Sequence, residues 1–261
     1  MKNTPWEQEF RAVWRREERF LRQYAEPPEG ILDQKIAEHV PEKLLETLRT
    51  AFEKAVALVF DKGSGVVLGK ARREDQRQTY QVNTYAADLR ETRKSLRTFS
   101  REANRAGRGS VLLSGAAGMG MGLLGWMLPD IPLLTALLMR CVYETAESFG
   151  FPCDGECERI YALRVMETAL CAGEDLRQGN QALESFAQTG AWPEGVTLDG
   201  QVQATARRLA EAMLYSKAIQ NIPVVGVAGG TGDLLCLRRV RRYAAIKYQK
   251  RFLIRRQIER T

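Results

Sequence analysis

Residues 237–256 read LRRVRRYAAIKYQKRFLIRR, a run in which apolar side chains recur every three to four residues. That spacing places them on one face of an α-helix. The apolar face comprises Leu237, Val240, Ala244, Tyr248 and Phe252. Nine lysines and arginines are interspersed among them. The run therefore predicts a C-terminal helix whose basic side chains spread around the rest of its surface.

The same spacing recurs along the chain, whereas the alternating pattern of a β-strand is scarce. Its clearest instance is VPEKLLETLRTAFEKAVALVFDKGSG at residues 40–65, where apolar side chains line one face of a helix. We predict an all-α fold, a multi-helix bundle with two glycine-rich apolar helical segments. Residues 1–30 are expected to form a charged helical arm, with a helix at 4–25, and residues 31–261 a helical domain.

Further helices follow from the pattern of apolar and charged residues. The charged stretch 74–106 predicts one long helix, and apolar spacing predicts helices at 133–149, 156–173 and 201–220. Residues 174–200 are rich in glycine and polar residues, so we expect this part to be the most loop-like of the chain.

Charge is unevenly distributed along the 261 residues. The chain carries a net +7, made up of +5 over residues 1–108, −7 over 109–236 and +9 over 237–261. A basic segment of this kind attracts anionic lipid, nucleic acid or an acidic protein surface. We do not expect nucleic acid, because no helix-turn-helix, zinc-finger spacing or RNA-binding motif accompanies the arginines. A terminal helix docked on the acidic middle of the same chain is the structural alternative.

Two uncharged segments interrupt the charged sequence. Residues 109–129, GSVLLSGAAGMGMGLLGWMLP, contain six glycines, and residues 218–232 read AIQNIPVVGVAGGTG. Small residues recur every four positions at Ser110, Ser114, Gly118 and Gly122, and again at Gly226 and Gly230. Such faces let helices pack closely in lipid, and the first segment has about the 20 residues that a bilayer span requires.

Three arrangements of these segments remain open. They are buried helices of a water-soluble core, a hairpin that enters or lies on a membrane, and a full membrane span. Under the membrane hypotheses, the contacts with lipid or a partner are assigned to Gly118, Gly122, Trp126, Gly226, Gly230, Arg238, Arg239, Arg241 and Arg242. Basic residues near an anionic leaflet add to the attraction of inserted apolar surface.

Residues capable of catalysis are few. One histidine and five scattered cysteines give no metal-ligand spacing and no catalytic triad, so no metal and no cofactor is expected. The glycines of the first uncharged segment follow a charged helix and lack the lysine or distal acid of a nucleotide site. The polar candidates are Asp130, Arg140, Glu144, Glu147 and Asp233. They form either a structural polar network, including an Arg140–Glu144 pair, or a carboxylate site for a proton or metal.

The N-terminal sequence has no apolar core of a secretory signal, and an odd number of scattered cysteines favours a reducing compartment. We therefore expect a cytoplasmic protein that lies peripherally on the inner membrane. The alternative function is that of a soluble hydrolase using carboxylates between helices.

Four sequence elements in the same order resemble the EcsC protein family of bacteria. They are VPEKLLETLRTAFEKAVALVFDKGSG, LPDIPLL followed by YETAESFGF, NIPVVGVAGG, and KYQKRFLIRR. The resemblance runs from about residue 40 to the C-terminus and misses mainly the N-terminal helix and the insertion near 174–200. The LPDIP and YETAESFGF pair is also similar to a membrane-associated helical domain found beside some bacterial GTPases. The family is named for a companion of an ABC transporter, and the resemblance supplies no catalytic residues.

These observations together predict a non-enzymatic, membrane-associated helical protein. Its expected partners are anionic membrane lipid or a membrane protein such as a transporter subunit. A second copy of the chain is a further candidate partner, since faces of small residues also pack against each other.

Overall fold

The fold is taken from a computed structural model. It describes residues 4–26, 42–62, 69–106, 131–220 and 231–259. Within these ranges the chain forms nine helices and no strand, so the all-α prediction is confirmed. The helices are α1 Pro5–Gln23, α2 Glu42–Lys62, α3 Lys70–Leu89, α4 93–106, α5 Ile131–Ser148, α6 Glu156–Leu170, α7 Gly173–Thr189, α8 Leu198–Gln220 and α9 Thr231–Ile258.

The C-terminal helix α9 lies at the centre of the bundle. It packs against α1, α5, α6, α7 and α8. Its aromatic side chains Tyr243, Tyr248 and Phe252 are fully buried. The apolar face predicted from the sequence is therefore a core face, and α9 is the element around which the other helices are arranged.

Contacts along α9 fix the directions of its neighbours. Helix α6 runs antiparallel to α9, because Glu158 near its start binds Arg251 and Cys171 just beyond its end binds Arg239.

Helix α5 packs against α9 with its C-terminal end at the C-terminal half of α9, since the rings of Phe149 and Phe252 lie 5.8 Å apart and Arg255 donates to the carbonyl of Phe149. Helix α5 therefore runs in the same direction as α9, and the two helices begin at the same end of the bundle.

Helix α1 also runs antiparallel to α9. The indole of Trp6 donates to the carbonyl of Leu253 at 2.9 Å, and the rings of Phe20 and Tyr243 lie 4.8 Å apart. Val13 and Phe20 belong to the core, whereas Trp14 is 53% exposed. The division into an arm and a domain stays a prediction, but α1 itself packs fully against the bundle.

The predicted helix at 74–106 is wrong, because the chain breaks at residues 90–92 and forms a hairpin of α3 and α4. Thr92 and Ser95 cause the break by capping α4 reciprocally. The Ser95 amide donates to Thr92 Oγ1 at 3.1 Å, and the Thr92 amide donates to Ser95 Oγ at 3.0 Å. These bonds satisfy amides that otherwise have no partner at a helix start.

The loop-like prediction for 174–200 is also wrong over most of its length, since Gly173–Thr189 forms α7. Leu176, Leu183 and Phe186 are buried on one face of this helix. Gly179, which weakens the helical signal in the sequence, faces Thr168 of α6 so closely that a Cβ would overlap it. The glycine therefore permits a tight helix crossing.

The remaining helices agree with their predictions. In α2 the side chains of Leu48, Phe52 and Val56 are buried, as their spacing indicates. Helices α5, α6 and α8 lie close to the predicted ranges 133–149, 156–173 and 201–220. Helix α8 packs against α2, α6 and α9.

Gly150 ends α5 in a conformation that suits glycine. Its φ is +74°, its amide donates to the carbonyl of Glu147 at 2.9 Å, and the Phe151 amide donates to that of Ala146 at 3.0 Å. The ring of Tyr80 lies where a Cβ of residue 150 would be. Arg255 of α9 donates to the carbonyl of Gly150, at the end of α5, and to the hydroxyl of Tyr80 on α3. It therefore joins these three helices.

We predict that Gly150→Ala lowers the free energy of unfolding by about 3 kcal/mol, from left-handed backbone strain plus the clash with Tyr80. The matched control is Gly190→Ala, which has φ +73° but open space around the new Cβ and should cost about 1 kcal/mol. Urea denaturation of both variants measures the difference. Equal losses would show that the Tyr80 contact does not constrain this turn.

Candidate functional site

Six of the predicted site residues lie outside the described residues. They are Gly118, Gly122, Trp126, Asp130, Gly226 and Gly230. Asp233 lies within α9, but its side chain is likewise outside the description. The roles assigned to these seven residues stay predictions.

The four arginines assigned to lipid or partner contact occupy the first half of α9. Arg238 and Arg242 are exposed, while Arg239 and Arg241 are half-buried. Arg239 donates to the carbonyl of Cys171 and lies 3.6 Å from the ring centre of Tyr24. Arg238 and Arg242 therefore place positive charge on the surface of the first half of α9.

The second half of α9 corrects the expectation that its basic residues spread over the outer surface. Lys247 is 1% exposed and donates to Glu17 Oε1 at 2.8 Å. Lys250 binds Glu184 Oε2 at 2.7 Å, and each lysine also contacts the other glutamate. Two ammonium groups and two carboxylates thus form a buried cluster of zero net charge that joins α1, α7 and α9.

Glu17 shows how this cluster compensates burial. Desolvation by itself raises the pKa of a carboxyl group, but Lys247 and Lys250 outweigh it and lower the pKa of Glu17 below its ordinary value. Glu17 is therefore ionised in the folded protein.

Two further basic residues of α9 are neutralised inside the protein. Arg251 forms a bidentate pair with Glu158, at 2.7 and 2.5 Å, and lies over the rings of Phe151 and Tyr161. Arg256 is buried and donates to Asp88 at 2.8 Å. These charges are committed to the fold, because paired and buried guanidinium groups do not face an external anion.

The polar candidates Arg140, Glu144 and Glu147 lie on α5. Glu144 is fully buried and accepts hydrogen bonds from Arg140 at 3.1 Å, as predicted, and from Arg72 of α3 at 2.8 Å. Glu147 accepts from Arg73 at 2.8 Å, and burial is the main cause that raises its pKa. Each carboxylate thus fastens α3 to α5.

This arrangement favours the structural network over the carboxylate site. No group of three or more potential metal ligands occurs in the part of the chain that the structure describes. Glu144 and Glu147 both face guanidinium groups, which neutralise carboxylates and hold helices together. The geometry of these two residues offers no support to the hydrolase alternative.

The two uncharged segments can be placed only by their connections. Segment 109–129 precedes α5, which begins at Ile131, and segment 218–232 overlaps the end of α8 and the start of α9. Since α5 and α9 begin at the same end of the bundle, Ile131, which follows the first segment, and Thr231, within the second, lie at that end. Across the described ranges, no helix combines the length and the apolar character that a membrane span requires.

One feature was not anticipated from the sequence. An open groove of about 850 Å³ lies between α1 and α4, and six arginines line it. A signal was present, because Arg15, Arg19 and Arg22 recur at helical spacing. Nothing in the sequence indicated that residues of α4 form the other wall of the groove, because the break between α3 and α4 was not predicted.

Comparison with known proteins agrees with the resemblance noted from the sequence. The model of the EcsC protein family matches residues 7–253, which includes α1 and α7 and therefore extends further than we expected. The chain is similar to Protein EcsC of Bacillus subtilis (strain 168), with 24% identity over 200 residues that span 75% of this chain and 73% of that protein. No solved structure matches the chain.

We predict that Glu17→Ala lowers the free energy of unfolding by about 4 kcal/mol, because it leaves the buried Lys247 and Lys250 with one carboxylate between them. Glu18→Ala is the matched control. Among the described residues, Glu18 pairs with the exposed Arg22 alone, and its loss should cost about 0.5 kcal/mol or less. Guanidinium chloride denaturation compares the two variants.

The contribution of Glu17 should also depend on pH. Because its pKa is lowered on folding, the stabilisation is complete above the unfolded value of about 4.3 and declines as the pH falls through the folded value. Below pH 5 the difference in the free energy of unfolding between wild type and Glu17→Ala should therefore become smaller. If this difference stays constant down to the pH at which the protein unfolds, Glu17 is not ionised with a lowered pKa in the folded protein.

Proposed function

The chain belongs to the EcsC protein family, and from this premise we propose that it is a non-enzymatic, cytoplasmic protein that binds peripherally to the inner membrane. The proposed contacts are the segments 109–132 and 218–236, together with Arg238, Arg239, Arg241 and Arg242. The ligand is anionic lipid or a membrane protein such as a transporter subunit. The supporting observation is that α5, which follows the first uncharged segment, and α9, whose start overlaps the second, begin at the same end of the bundle.

The physical basis is a combination of two weak attractions. Apolar segments gain free energy by leaving water for the acyl boundary, and each nearby arginine adds about 1 kcal/mol at an anionic surface. At the proposed end, Arg238 and Arg242 are the exposed members of the basic set on α9. Together they contribute about 2 kcal/mol.

This small electrostatic contribution makes the apolar segments the main source of binding. Lys247, Lys250 and Arg251 cannot add to it, because they are buried in internal ion pairs. Binding should therefore weaken with salt but persist in part. A purely electrostatic protein would be released completely under the same conditions.

A protein partner would use the same end of the bundle. The small residues that recur in the two segments suit close packing against a transmembrane helix of a transporter subunit or against a second copy of the chain. Lipid and protein contact are compatible, since a peripheral protein that lies on the bilayer is already close to the partner.

We predict that the protein sediments with phosphatidylglycerol vesicles at low salt. Removing two charges in Arg238→Ala/Arg242→Ala should weaken binding about 30-fold. The matched control removes the exposed Arg177 and Arg207 of α7 and α8, which lie outside the proposed contacts, and should leave binding unchanged. If wild type does not bind these vesicles at low salt, the membrane proposal fails.

The apolar contribution is tested by Trp126→Asp, which places a charge in the first uncharged segment. Its insertion cost should reduce vesicle binding at least tenfold, because a charged side chain in the acyl region costs about 2.5 kcal/mol or more. Trp14→Asp is the control, since Trp14 is exposed on α1. Circular dichroism checks that both variants remain folded. Equal binding of Trp126→Asp and wild type would remove segment 109–132 from the contact.

A further inference from the structure

The groove between α1 and α4 has an unusual lining. Its walls are formed by Glu9, Ala12, Arg15, Arg16, Glu18, Arg19 and Arg22 of α1 and by Arg97, Ser100, Arg101 and Asn104 of α4. Six arginines face two glutamates, which gives a net charge of +4. Both acids are already engaged: Glu9 accepts from Arg93 and Arg97, and Glu18 binds Arg22.

Four arginines of the groove form no ion pair with an acid of the described ranges. Among the described residues, no carboxylate lies within ion-pair distance of Arg15, Arg16, Arg19 or Arg101. This contrasts with the buried lysines and arginines of α9 described above, which are matched by acids from other helices. Unpaired positive charge is therefore concentrated in this groove.

The groove places like charges close enough to act on one another. Burial is the main cause that lowers the pKa of Arg16, Glu9 opposes that shift, and Arg19 and Arg97 lower the pKa further. Repulsion of this kind is relieved when an anion binds between the guanidinium groups. The repulsion between these guanidinium groups destabilises the protein, and a bound anion would reduce it.

Several of these side chains are already held in place. Arg16 donates to the carbonyl of Ala12 and to the amide oxygen of Gln249, and Arg19 donates to the carbonyl of Arg15 at 3.3 Å. Each guanidinium has five N–H donors, so most of its donors stay available. Ordered guanidinium groups lose less side-chain entropy when they bind a ligand.

We propose that this groove binds a phosphate-bearing ligand with two or more negative charges, of the diphosphate or phosphomonoester class. The planar fork of arginine matches phosphate oxygens in bidentate pairs. The volume of about 850 Å³ falls within the range of small-ligand sites. None of the described residues that line the groove is aromatic, so they offer no stacking surface of the kind by which single-stranded nucleic acid is usually held.

This site is distinct from the proposed membrane contact, because its arginines lie on α1 and α4 rather than at the start of α9. Its ligand can come from two sources, a soluble diphosphate or a lipid with a phosphomonoester headgroup. The two sources share the same recognition chemistry. They are separated by whether the groove variant loses binding to a soluble probe, to vesicles or to both.

The test uses inorganic pyrophosphate as the soluble probe, with the full chain in isothermal titration calorimetry. Wild type should bind it, and Arg15→Ala/Arg19→Ala/Arg101→Ala should bind at least about tenfold more weakly. The control, Arg11→Ala/Arg177→Ala/Arg207→Ala, removes three exposed charges outside the groove and should bind like wild type. Thermal melts monitored by circular dichroism confirm that both triple variants fold.

The second arm compares phosphatidic acid vesicles with phosphatidylglycerol vesicles of equal surface charge. A selective loss on phosphatidic acid in the groove variant supports the site and assigns it a lipid headgroup. A loss confined to pyrophosphate supports the site and assigns it a soluble ligand. If the groove and control variants behave alike with both probes, or if an oligonucleotide binds the groove more tightly than pyrophosphate, the proposal is overturned.

Failure of this site would leave the membrane proposal intact. Arg238→Ala/Arg242→Ala should weaken binding to phosphatidylglycerol vesicles and leave pyrophosphate binding unchanged. The groove variant Arg15→Ala/Arg19→Ala/Arg101→Ala should instead bind pyrophosphate more weakly than wild type. The two sets of arginines are therefore separable in one series of measurements.

Discussion

The fold depends on neutralising a cationic helix inside a protein core. Helix α9 carries basic side chains along its buried surface, and bringing charges out of water costs several kcal/mol per ion unless each is paired. The necessary acids come from four different helices: Glu17 of α1, Asp88 of α3, Glu158 of α6 and Glu184 of α7. A shifted helix would leave a buried charge unpaired, so these pairs set the register of the bundle as well as joining it.

The same constraint explains where charge remains on the surface. Because several acids are used internally, exposed positive charge is found at arginines that no described acid reaches within ion-pair distance. Two such places are described here, the exposed Arg238 and Arg242 at the start of α9 and the arginines of the α1–α4 groove. Sequence charge alone could not distinguish these groups from the equally basic but buried Lys247 and Arg251.

Local patterns therefore predict much of the fold and little of the site. The spacing of Leu48, Phe52 and Val56 suffices for α2, because one buried face determines a helix. The break at Thr92 and the tight crossing at Gly179 were missed, since the first depends on reciprocal capping and the second on a contact with another helix. Burial of Lys247 depends on Glu17, 230 residues away in sequence, and no local pattern reports such a pairing.

Helix α1 connects the core to the groove by dividing its charges between two faces. Glu9 and Glu17 point inward, 2% and 3% exposed, and bind basic residues of α4 and α9 respectively. Arg15 and Arg19 lie on the outer face, where their helix offers no free acid. Glu9 and Glu17 are committed to neighbouring helices and Glu18 pairs with Arg22, so α1 presents Arg15 and Arg19 at the groove. The pairs of Lys247 and Lys250 with Glu17 and Glu184 lie outside the lining of the groove, so α1 stabilises the core through one face and offers arginines to an anion through the other.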